Sequence, residues 1–183
     1  MSDDAALSAK RHETPAIRTA AADDIPLLHA LIEGAYRGDS ARGGWTHEAD
    51  LLGGQRTDRE ALAAIIADPD QLLLMRQDGA GCVSVARREG GVGYLGLLTV
   101  RPDVQAGGIG RALLAAAERA AVAHFETQVV EMTVIRQRPE LIAWYERRGY
   151  ARTGETRPFP LDDVRFGIAR TRELAFVVLA KAM

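Results

Sequence analysis

The apolar positions change their period several times along these 183 residues, and each change predicts an element. Behind a polar stretch at 1–14, residues 15–20 read as a short first strand. Ile25, Leu28, Leu31, Ile32 and Tyr36 then recur at helical spacing, with Asp23 or Asp24 placed to cap the helix. Residues 38–46 are loop-like, and 45–52 could form a short helical turn before Gly53-Gly54. Thr57-Asp58-Arg59-Glu60 has the pattern of a capping box; it opens a helix to about Ala67, where Asp68-Pro69 stops it. Runs at 72–77 and 82–88 flank Asp78-Gly79-Ala80-Gly81 as a hairpin. Gly90-Gly91 turns into a third run, 94–100. A helix from Gly108 to about His124, a strand at 129–135, and a helix opened by Pro139 and stopped by Gly149 follow. Strands near 150–156 and 175–181 complete an α/β order, β-α-α-β-β-β-α-β-α-β-β, without internal repeat or linker. One domain over 15–183, behind a flexible tail at 1–14, is expected.

The most specific chemistry lies at 94–114. The β-run ends at Leu98-Thr99-Val100-Arg101-Pro102, and Gln105-Ala106-Gly107-Gly108-Ile109-Gly110 leads into a helix. A helix entered through such a turn leaves first-turn N–H groups unpaired at the positive end of its dipole. Glycines let an anion approach them closely, so the turn predicts a pyrophosphate cradle. A G-x-x-x-x-G-K-[ST] loop is excluded because Arg111-Ala112 follows Gly110. A dinucleotide fingerprint would need a third glycine where Leu113 stands.

Gln105, Gly108 and Gly110 instead resemble, position by position, the Q/R-x-x-G-x-G/A signature of the GNAT acyl-CoA N-acyltransferases. Trp144-Tyr145-Glu146-Arg147-Arg148-Gly149-Tyr150 is similar to that family's second block, and Tyr145 falls thirty-five residues after Gly110. The resemblance implies a mixed, strongly twisted central sheet with flanking helices, splayed at the glycine turn to take the acyl-pantetheine arm. It also implies acetyl-CoA as co-substrate, without a metal. The cofactor would lie along Leu98, Thr99, Val100, Gln105, Ala106, Gly107, Gly108, Ile109, Gly110 and Arg111, and the N–H and C=O groups of Leu98 and Val100 would be open to it. Where the family often has an asparagine, seven residues before the tyrosine, this chain has Arg138, which would bind a CoA phosphate or an acidic acceptor.

The reaction implied is direct attack of a primary amine, on a small molecule or peptide, on acetyl-CoA within a ternary complex. Tyr145 would protonate the leaving thiolate; on pattern alone it is equally an aromatic of a buried helix face. The base is open. The strand before the turn carries no acid, so Glu131 on the following strand is one choice, and its alternative is a salt bridge to an arginine. Glu48 and Asp50, beside Trp45, are expected to bind the acceptor, with His47 a weaker option. An acceptor of low pKa would need no base. The missing strand carboxylate also leaves open a non-catalytic acyl-CoA-binding regulatory module on the same fold.

Composition narrows the partners. A formal charge of −2 gives no footprint for nucleic acid, and no apolar run is long enough to span a membrane. The single cysteine, Cys82, rules out an internal disulfide and reads as a small buried residue. A cytoplasmic protein is expected, with an amine acceptor as partner and a homodimer as one oligomeric option.

Overall fold

The computed structural model describes residues 15–37, 48–105, 107–163 and 167–183. In chain order these form β1 (Ile17–Thr19), α1 (Ile25–Tyr36), β2 (Leu52–Gly53), α2 (Arg59–Ala67), β3 (Gln71–Arg76), β4 (Gly81–Arg88) and β5 (Val92–Val100). After them come α3 (Ile109–Phe125), β6 (Val129–Ile135), α4 (Pro139–Glu146), β7 (Ala151–Pro158), β8 (Ile168–Ala169) and β9 (Ala175–Ala182). Seven strands make one mixed sheet in the order β1-β3-β4-β5-β6-β9-β7. Only β5 and β6 run parallel, and α3 is the crossover between them.

Alternation along β3 separates two cores. Leu72 and Leu74 face α3 and α4, whereas Leu73 and Met75 face α1 and α2. The first core packs Leu113, Leu114 and Ala117 of α3 on Val83 and Val85. The second packs Leu28, Ile32 and Leu62 on Cys82. α3 lies so close to the sheet that a Cβ at Gly81 would stand 2.7 Å from both Leu113 Cδ1 and the Thr99 carbonyl. Among the described residues no helix is long and apolar enough to cross a membrane.

Three expectations change. The cap of α2 is Asp58, one residue later than a Thr57 capping box places it, and its carboxylate accepts from the Ala61 N–H at 2.6 Å. Residues 52–53 form a two-residue strand with β8, closing a small cluster of Leu52, Ile135, Phe159 and Leu174. Asp24 precedes α1 but caps no helical N–H; its carboxylate instead accepts from Arg18 at 2.7 Å and from the Ala21 N–H at 2.8 Å. Those bonds, Arg18 first, lower the Asp24 pKa to about 2. A depressed carboxylate stabilises the fold above its unfolded value, about 3.9, and that stability is lost as the pH falls through its folded value. The stability difference between wild type and Asp24→Asn is therefore expected to shrink between about pH 4 and pH 2. Denaturant titrations across that window check it; a difference independent of pH would refute the assignment.

Candidate active site

The ladder between β5 and β6 ends where the chemistry-bearing residues begin. Its rungs are Val92↔Val129, Gly93↔Val130 and Tyr94↔Glu131. Beyond them β5 stays with β4 to Val100, while β6 stays with β9 to Ile135, so the two strands part. A bulge sharpens the departure: Ser84 faces Gly96, yet Cys82 faces Thr99. Leu97, inside the bulge, has φ 48°, a left-handed conformation costing a non-glycine residue about 1–3 kcal/mol. Its carbonyl accepts from the Thr99 hydroxyl at 2.9 Å and from the Cys82 thiol at 3.7 Å. Burial pushes that thiol up to about 12, so Cys82 packs the bulge and is no nucleophile.

The next carbonyls are also held. Tyr36 Oη donates to the Leu98 carbonyl at 2.8 Å, and Gln105 Nε2 donates to that of Val100 at 3.1 Å. The carbonyls of Leu98 and Val100, expected to be open, are therefore occupied by side chains. α1 delivers Tyr36 to the bulge, and the turn folds Gln105 back on the strand end.

A cavity of ≈ 190 Å³ opens between this strand end, the first turn of α3 and α4. Leu98, Val100, Gln105, Gly108, Ile109, Gly110 and Arg111 line it from the strand and turn. Gly108 precedes the helix at φ +77° and, as the N-cap residue, offers no side chain to the first-turn N–H groups. A Cβ there would meet nothing nearer than Arg111 Nη2 at 4.0 Å, which leaves the approach to those donors clear. Opposite, the Arg148 guanidinium lies 3.5 Å from the centroid of the Trp144 ring, and its Nε is buried without a hydrogen-bond partner among the described residues. Burial lowers the Arg148 pKa, and Arg147 and Arg111 lower it further by repulsion. Unpaired helix donors, an orphaned guanidinium N–H and neighbouring cations together fit a pyrophosphate. Thr99 is buried and turned to Leu97, and Gly107 belongs to the turn without lining the cavity.

A second cavity, ≈ 500 Å³, spreads over the other side of the β5 end toward β6, the head of α2 and Phe159. Tyr36, Leu98, Leu141 and Tyr145 belong to both walls, so the two spaces meet at these residues. Tyr145 is 6 % exposed, edge-on to Trp144 and to Tyr150 with ring centroids 4.9 and 5.8 Å away. Burial first, and then the nearby Tyr36 phenol, raise its pKa well above that of an ordinary tyrosine. The phenol therefore stays protonated at any physiological pH.

Glu48 lines the larger cavity, where its carboxylate accepts from Arg37 at 2.9 Å. Asp50 is exposed on the following turn and lines neither cavity. Glu131 likewise lines neither; it is paired with Arg157 at 2.9 Å. Arg138 stands on the wall of the larger cavity and not beside the glycine turn. Trp45, His47, Ala106 and the tail at 1–14 lie outside the described residues. Sequence reasoning missed Tyr36, which its spacing marks only as one more apolar helix position. It also missed the Tyr94 and Thr133 hydroxyls, 2.7 Å apart on the larger cavity's wall.

Residues 47–160 match the acetyltransferase (GNAT) domain family. Among curated protein sequences, none is significantly similar to this chain. Its backbone is similar to that of a ribosomal-protein-alanine N-acetyltransferase from Brucella melitensis, at 21% identity and TM-score 0.66, over 92% of this chain and 99% of that one. A GNAT-family acetyltransferase from Streptococcus pneumoniae is similar at 18% identity and TM-score 0.65, over 92% and 99% of the two chains. So is a putative acetyltransferase from Salmonella typhimurium, solved with acetyl-CoA, at 17% identity and TM-score 0.64 over 93% and 94%. The splayed mixed sheet, the anion-ready helix start and the match over more than half of its length agree: the chain belongs to the GNAT acetyltransferase family and is an acyltransferase.

Proposed function

We propose that the protein transfers the acetyl group of acetyl-CoA to a primary amine of a small molecule or peptide, by direct attack in a ternary complex, in the cytoplasm. The observation that carries this reading is the meeting of the two cavities at Tyr36, Leu98, Leu141 and Tyr145. Two substrates entering from opposite sides would bring thioester and amine together there, and no covalent enzyme intermediate is required. The smaller cavity would hold acetyl-CoA, with its pyrophosphate on the N–H groups that follow Gly108 and beside Arg111.

A C–N bond forms as the C–S bond breaks; the amine gives up one proton and the departing thiolate takes one. Tyr145 supplies the latter. The backbone N–H at Leu98, in the bulge, would stabilise the oxyanion. Tyr36 keeps its own proton on the Leu98 carbonyl and so fixes the bulge. On the acceptor side Glu48 would hold the ammonium form, with Asp50 and Trp45 as further acceptor-binding residues. Glu131 would reach the amine's proton through the Thr133 and Tyr94 hydroxyls beside it.

The test is release of free thiol from acetyl-CoA across a panel of amines, amino acids, aminoglycosides and peptides. Thiol release that depends on one class of amine is expected; none with any amine overturns the reading. With an acceptor in hand, Glu131→Gln is expected to lower kcat/KM and flatten the acidic limb of its pH profile, as for a lost base. Glu48→Gln and Asp50→Asn should chiefly raise the acceptor KM, the mark of lost ground-state binding. An unaltered profile in all three would mean that water takes the proton.

A further inference from the structure

Arg138 is the residue that acetyl transfer as described leaves without a task. It immediately precedes α4, and only 5 % of it is exposed. Its Nε donates to the Glu140 carboxylate at 2.8 Å. Its Nη2 is buried and has no hydrogen-bond partner among the described residues. Burying a charged donor without a partner is costly, and folded proteins nearly always match such a group with protein, water or ligand. Because Arg138 belongs to the larger cavity's wall, the match comes from the acceptor side.

The other charges of that cavity favour the same sign of ligand. The charged side chains on its walls besides Arg138, among the described residues, are Arg56, Arg88, Glu48 and Asp58. Both acids are already engaged, Glu48 with Arg37 at 2.9 Å and Asp58 with the Ala61 N–H at 2.6 Å. The Arg56 and Arg88 guanidinium groups lie 5.2 and 5.5 Å from the centroids of the Tyr36 and Tyr94 rings. The positive end of α4 begins at Arg138 itself. The Arg138 charge is also felt at the Tyr145 phenol, so an anion docked on Arg138 lies near the junction of the two cavities.

The geometry points to an acceptor that carries a carboxylate: a small amine of the amino-acid class, forked on the Nη edge of Arg138, with its amino group turned toward Leu98 and Tyr145. This rests on the acetyl-transfer reading of the site. A planar guanidinium matches a carboxylate through two parallel bonds, which fixes direction as well as position. A polyamine would bring a second cation toward three arginines, and an internal or N-terminal peptide residue has no carboxylate at that distance.

The test pairs each L-amino acid with its carboxamide as acceptor and reads free thiol. The acids are expected to exceed their amides in kcat/KM by at least about thirty-fold, the lower bound for unpairing a buried charge. Arg138→Gln should abolish that preference, and Arg138→Lys should keep part of it. A second arm needs no turnover: with CoA present, N-acetyl amino acids should raise the melting temperature of wild type but not of Arg138→Gln, and N-acetyl amino-acid amides should raise neither. Both variants should still be stabilised by acetyl-CoA, which shows them folded; loss of that response would move Arg138 to the cofactor and overturn the proposal. Equal use of acids and amides, equal use of peptides, or a preference that survives in Arg138→Gln would also overturn it. If no amine releases thiol, acetyl transfer fails, while the melting arm still decides whether the carboxylate site exists.

Discussion

Tyr145→Phe is expected to lower turnover by about 10²–10⁴-fold, the range for removing a general acid, and to leave the affinity for acetyl-CoA nearly intact. The ring would keep its edge-on contacts with Trp144 and Tyr150, so neither the wall of the cavity nor the packing of α4 is disturbed. Only the proton that the leaving thiolate needs is gone. Because burial holds the phenol protonated, no basic limb from this residue is expected in the wild-type profile. Tyr36 is the control, since its hydroxyl is committed to the Leu98 carbonyl at 2.8 Å. Tyr36→Phe would relax the bulge, and its loss should be smaller. Single-turnover rates in both variants check the assignment. An unchanged rate for Tyr145→Phe with chemistry limiting returns Tyr145 to the core, and a loss confined to Tyr36→Phe makes Tyr36 the donor.

Gly108→Val is expected to abolish the stabilisation that acetyl-CoA gives the wild-type protein. A ligand that binds only the native state raises stability by mass action, about 2.7 kcal/mol at a hundred times Kd. At Gly108 a valine faces two obstacles. The backbone has φ +77°, which a β-branched residue adopts only under strain, and the side chain would stand in the open approach to the α3 N–H groups. Gly110→Val should act differently, because its Cβ would lie 3.4 Å from Trp144 Cζ2 and 3.6 Å from Val100 Cγ2. There the wedge pushes α4 from α3 and costs stability even without ligand. Melting curves with and without acetyl-CoA separate the two effects. Stabilisation by NAD or ATP in place of acetyl-CoA would falsify the cofactor reading.

How much of this was legible in the chain depends on how far apart the determinants lie. The strands of the large sheet and the helices α1 to α4 are local events, announced by periodicity and by Gly and Pro. The glycine turn was legible for the same reason, since the donors and the glycines that clear them are adjacent. A two-residue ladder such as β2 with β8 has no period to read. The Thr57 or Asp58 ambiguity is a competition between neighbouring acceptors, settled by where the chain enters α2. The bulge at Leu97 leaves no signal either, because a leucine at positive φ sits inside an apolar run. Tyr36 and Arg138 differ in where their partners lie. Tyr36 looked like core, and its hydroxyl acquires a purpose only when β5, sixty-two residues later in sequence, lies beneath it. For Arg138 the pattern leaves a CoA phosphate and an acidic acceptor both open, and the direction of its side chain is set by α4 and Glu140. Glu131 alternates with Val129 and Thr133 along β6, yet which cation it meets depends on β7, beyond any sequence window.

The order β6-β9-β7 has a consequence for how the chain is made. As synthesis proceeds, β6 and β7 leave the ribosome well before Ala175–Ala182, the strand that joins them. Until then Val130, Met132 and Val134 lack the strand that pairs with them from Val177 to Lys181, and the nascent molecule carries an unpaired apolar edge. The hazardous interval of biogenesis is thus the one between the emergence of β7 and that of β9, when β1 to β5 and α3 can already be packed. Chaperone dependence and the damage done by a break in synthesis should both concentrate on that interval, far from the glycine turn.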